Sequence, residues 1–138
     1  MTAKIKNIII WILAGLLAFA FIGSGITKLL GVEMQIKNLE SWGYPPWFRF
    51  PIGLTEIALA VGLMIPRFRK ITIYGIFIWS IAAVITHLQA GQANMIVGAI
   101  LFSVIAGVIL LLIKGKQQIK EHKFNSNEKE NKFLKQRA

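Results

Sequence analysis

From Ala93 to Ile113 the chain runs without a single charged residue. As a helix such a run covers ~30 Å, the thickness of the hydrocarbon core of a bilayer. Three more apolar runs precede it: Ile8 to Leu30, Trp47 to Ile65 and Ile71 to Leu88. In lipid every backbone N–H and C=O must be satisfied within the protein, so each run is read as a spanning helix. With 55% hydrophobic residues and a mean hydropathy of +0.60 over 138 residues, the chain has room for four spans and little else. The predicted fold is all-α: a four-transmembrane-helix bundle, with a short interfacial helix in the first outer loop.

The predicted organisation is a short N-terminus over 1–7, a membrane domain over 8–113 (spans 8–30, 47–65, 71–88 and 93–113) and a basic tail over 114–138. Lys4 and Lys6 ahead of an apolar run, with Ala18-Phe19-Ala20 as a small-x-small cleavage pattern, imitate a signal peptide. The apolar run continues to Leu30 with no polar stretch before the cut, so it is kept as a span. Between the first two spans, Val32, Ile36, Leu39 and Gly43 share one helical face, which suits an amphipathic helix lying in the interface. Trp42, Tyr44 and Trp47 are interfacial aromatics around a Pro45-Pro46 break, and Pro46 fits a helix start. The tail is rich in Lys, Glu, Gln and Asn, and is expected to be disordered or a loosely held surface helix.

The net charge of +10 sits in the flanks of the apolar runs, so it is read as an orientation signal and no nucleic-acid partner is expected. Lys4, Lys6, Arg67, Arg69, Lys70 and the basic residues from Lys114 to Arg137 make 13 cations on one side, against Lys28, Lys37 and Arg49 on the other. Both termini are therefore expected in the cytoplasm, with the protein multi-pass in the plasma membrane. Contact with anionic lipid or a partner is a second use for the tail. Ala14 and Ala18, Ala58 and Gly62, and Ala99, Ser103 and Gly107 recur at four-residue spacing and are expected to face inward. Small-residue faces on more than one helix leave room for a homo-oligomer.

Glu56 stands alone in its apolar run, with no Lys or Arg within four residues. A carboxylate there needs a partner from another helix and marks a functional site. In the predicted topology it lies roughly 9–14 Å below the outer start of the second span. Lys28 ends the first span and His87 the third in that same leaflet. Ser24, Gly53 and Ala83 each precede one of the three by a turn and leave space beside it. A lysine facing a buried carboxylate stabilises the charge on both, and an imidazole accepts or relays a proton. Taken singly, Lys28 also reads as a snorkelling anchor and His87 as an interfacial cap. A pair that only fixes helix register stays open. Trp11, Trp42, Trp47 and Trp79 read first as packing and interfacial residues, with quinone or lipid contact second.

The absence of cysteine excludes disulfides, thiolate metal sites and iron–sulfur ligation, and no metal site is predicted. The segments FIGSGITKLLG (21–31), WGYPPW (42–47), IGLTEI (52–57), PRFRK (66–70) and AAVITHL (82–88) together resemble the DoxX and DoxX-like family of small four-helix membrane proteins. The family's glycine three residues before a lysine falls on Gly25 and Lys28, its acidic residue on Glu56 and its histidine on His87. The family takes its name from a subunit of an archaeal thiosulfate:quinone oxidoreductase. The resemblance implies an accessory or quinone-interacting subunit of a membrane redox complex, with an oxidoreductase subunit as partner and quinone as the cofactor it would meet. A small proton-coupled transporter and a purely structural, partner-binding membrane protein are the alternatives.

Overall fold

The computed structural model describes residues 1–137, and all regular structure in them is helical. Helices α1 (Ala3–Leu29), α3 (Arg49–Met64), α4 (Arg69–Gln89) and α5 (Ala93–Arg137) are long and apolar enough to cross a membrane. The short α2 (Glu33–Ser41) and a 3₁₀ turn (Pro46–Phe48) connect α1 to α3. The four long helices run up, down, up, down. Each packs against two neighbours, α1 on α3 and α5, and α4 on α3 and α5, with α1–α3 the most extensive pair. This is an all-α membrane protein with its four spans in a square.

Large apolar side chains such as Leu16, Phe19, Ile78, Ile81, Val97 and Leu111 face outward, where water would penalise them and lipid does not. Inside, Ile10, Leu17, Leu63, Ile73, Ile76 and Ile109 are fully buried, with Ala14, Ala60 and Ala106 between them. This dry core fills the half of the bundle nearest the chain termini. Arg69 closes it, with its Nε donating to the Leu63 carbonyl (2.8 Å) and its guanidinium 4.3 Å from the Trp11 ring centroid.

The other end is shaped by three glycines. α1, α2 and α4 each finish in a left-handed residue, Gly31 (φ 69°), Gly43 (φ 76°) and Gly91 (φ 68°). In each case the following amide reaches back to the last turn: Val32 to Thr27, Tyr44 to Leu39 and Gln92 to His87, at 2.9–3.1 Å. These are Schellman caps, which satisfy carbonyls that a helix end otherwise leaves unpaired.

One expectation needs correction. Of the small-residue series, Ala14, Ala18 and Ala99 are buried, but Ala58 lies on the exposed face of α3. The inward stripe of α3 is instead Gly53, Glu56, Ala60 and Leu63, because a 3.6-residue period tracks alternating steps of three and four. Over the tail, read from the sequence as disordered or a loosely held surface helix, α5 continues as one helix to Arg137, with its side chains exposed from Glu121 on. No proline interrupts it and Lys, Glu and Gln are good helix formers. A Glu128–Lys132 pair at 2.8 Å supports it locally, and Lys70–Gln117 and Lys116–Asn7 bonds hold its first exposed turns to the bundle.

A cavity built around a buried ion pair

Lys28 sits in the last turn of α1 and Glu56 two turns into α3, on the faces where the two antiparallel helices cross most closely. Gly25 and Gly53 form that crossing. A Cβ on Gly25 would stand 2.8 Å from the Gly53 carbonyl oxygen, and one on Gly53 would stand 2.9 Å from that of Gly25. Both positions exclude a side chain. The close approach lets Lys28 Nζ donate to both oxygens of Glu56, each at 3.0 Å, and to Ser24 Oγ at 2.6 Å. Lys28 and Glu56 are 6% and 7% exposed, so the pair is shielded from water. The carboxylate and the Ser24 hydroxyl both accept from the ammonium, which is what makes a lysine tolerable there.

Beside the pair the four helices part. A cavity of about 550 Å³ opens between α1, α3, α4 and α5, roofed in part by α2. Its walls carry Phe21, Trp42, Trp79 and Phe102, with Phe21 and Phe102 packed ring to ring at 5.3 Å. Lys28, Glu56 and His87 all line it, as do Ser24 and Ala83, while Gly25 and Gly53 stand behind the pair. Thus one chamber brings together the three ionisable residues singled out from the sequence.

His87 makes no contact with the ion pair itself. Its Nδ1 lies 3.0 Å from Gln92 Oε1, which also accepts from Trp42 Nε1 at 2.8 Å, while Gln92 Nε2 donates to Ser41 Oγ at 3.2 Å. Trp42 meets the imidazole edge-on, with centroids 5.2 Å apart. This clasp joins the end of α2 to the α4–α5 turn. Sequence reasoning missed Gln92, Ser41 and the polar face of α2, where Gln35 and Asn38 also line the cavity. The available signal was Gly91: a glycine cap fixes the direction of the next residue. Among the described residues no cluster of three or more His, Asp or Glu could hold a metal.

Fold and site together define a four-helix integral membrane protein with a charge-paired, aromatic-lined cavity at one end. The profile of the DoxX-like family matches residues 12–113, and the chain belongs to that family. The matched region includes part or all of each of the four spans, α1 from residue 12 on, and every residue of the cavity. Neither a curated protein nor a solved structure matches the chain.

Proposed function

We propose that this protein is an accessory subunit of a membrane redox complex and that its cavity receives a quinone headgroup. The observation that carries the reading is the buried Lys28–Glu56 pair in the wall of an aromatic-lined chamber. A polar-edged ring fits a site with apolar, aromatic walls and a few convergent polar groups. The volume of about 550 Å³ lies within the ordinary range for small-molecule pockets. Phe21, Trp79 and Phe102 would hold the ring, the hydroxyl of Ser24 would meet a ring oxygen, and Glu56 and His87 would face the ring edge as proton acceptors. When bound, a quinone supplies the redox chemistry, for which the cysteine-free chain has no thiol. In this reading Glu56 is the proton-exchanging carboxylate, Lys28 its counter-charge and His87 the relay toward the α2 end.

The excess of Lys and Arg on the side of the termini supports a plasma-membrane orientation with both termini cytoplasmic, which sets the cavity in the outer leaflet. The test is purification from the native membrane in mild detergent, with mass spectrometry of partners and extraction of bound quinone. A stoichiometric oxidoreductase subunit or retained quinone is expected. Recovery of the protein with ordinary lipids alone would overturn the reading and direct attention to proton-coupled transport in liposomes.

A further inference from the structure

The clasp at the cavity mouth fixes more than the position of His87. Trp42 Nε1 is an indole nitrogen, which donates and never accepts. The group 2.8 Å from it must therefore be the oxygen of Gln92, and this settles which way that amide points. The amide nitrogen then faces Ser41 Oγ, as observed. Gln92 Oε1 has only lone pairs to offer, so His87 Nδ1, 3.0 Å away, must carry a proton and donate it. In a neutral imidazole with Nδ1 protonated, Nε2 is an acceptor. Among the described residues no protein group bonds to Nε2, and the ring lines the cavity.

The ion pair has the same polarity. Lys28 Nζ is directed at Ser24 Oγ and at both Glu56 oxygens, and each Glu56 oxygen, accepting one bond, retains a lone pair for a ligand. Ser24, Ser80 and Tyr44 add hydroxyls, which donate and accept alike. The ionisable groups of the cavity thus present acceptors. A quinone carbonyl only accepts, while a hydroquinone has an O–H at each end of its ring.

We infer that His87 Nε2, held as an acceptor by the Trp42–Gln92 clasp, takes a hydrogen bond from a ring hydroxyl of the ligand, so that the cavity selects the hydroquinone over the quinone. This rests on the quinone-site reading and adds to it the preferred form and the residue that sets the preference. Gln92 acts only through the imidazole and is a positioning residue.

Two measurements test it. His122 is the one other histidine, so ¹⁵N-labelled His122→Gln protein gives an NMR spectrum of His87 alone. At about pH 8.5, two units above the ordinary imidazole value, the expected signature is a protonated Nδ1 and an unprotonated Nε2. Gln92→Leu should redistribute the tautomers. An Nε2-protonated ring in the parent protein overturns the inference without any variant having to fold. The second measurement is titration calorimetry in detergent with a short-tailed benzoquinone and, under anaerobic reducing conditions, its hydroquinone. The hydroquinone should bind about tenfold more tightly, the scale of one hydrogen bond, and His87→Phe should abolish that preference. Equal binding of the two forms, or tighter binding of the quinone, overturns the inference and leaves the quinone site standing. Binding of neither form overturns both.

Discussion

The two halves of the bundle are built from the same four helices and held together by different physics. Near the termini, Leu17, Leu63, Ile76 and Ile109 are fully buried and interlock around small residues. At the α2 end the helices separate around about 550 Å³, and the contacts that cross the gap are an ion pair and a chain of hydrogen bonds. Lipid gives helices no hydrophobic reason to associate, so one half must supply close packing if the other is to stay open. The dry half holds the bundle together; the open half has room for a ligand.

The contrast can be broken most directly at the ion pair. Lys28→Met leaves a buried carboxylate unpaired and is expected to cost about 3–5 kcal/mol, read from unfolding in detergent. The double substitution Lys28→Met with Glu56→Leu should recover most of that loss, because an apolar pair of similar volume replaces two desolvated charges. If the double variant also loses quinone while remaining folded, the pair serves the cavity rather than the register of α1 on α3. In the dry half, Leu63→Ala should cost about 2–5 kcal/mol, since the neighbours of a fully buried leucine cannot close the space. Gly25→Ala should cost about 1–3 kcal/mol by pushing α1 from α3, and should weaken ligand binding by lengthening the Lys28–Glu56 contacts. Ile52→Ala, on the cavity wall, should cost about 1 kcal/mol or less, because its side chain already borders empty space. The smallest effect is expected at Glu33–Lys37, a 2.7 Å pair on the exposed face of α2, where Glu33→Gln should change stability by about 0.5 kcal/mol or less.

The two halves were not equally legible in the sequence. Uninterrupted apolar length defines the spans, and an isolated carboxylate demands a cation, so Lys28 with Glu56 follows from chemistry alone. The inward face of α3 was harder. A rule based on four-residue spacing selects Ala58, while the helix turns Gly53, Ala60 and Leu63 inward. Gln92 carries no charge and stands in a short loop, and locally only the preceding Gly91 distinguishes it from Gln89. Its role exists only because the Gly91 cap and the end of α2 bring its amide between Trp42 and His87, a meeting across about 50 positions of sequence. In the tail, composition leaves disorder and a surface helix both open, and a chain of good helix formers can extend a helix already nucleated in the membrane.

The difference in length between helices acts on the surrounding lipid. α3 has 16 residues, ~24 Å of helix, beside an α1 of 27 residues and ~40 Å. Even with the 3₁₀ turn before it, the α3 side of the molecule barely matches the hydrocarbon thickness that α1 exceeds. Lipids along α3 must compress and those along α1 must stretch or let it tilt, at a cost of a fraction of a kcal/mol per ångström. Such a mismatch would dimple the bilayer on one flank, beside the helix that bears Glu56. Given membranes of graded thickness, it should partition toward the thinner ones.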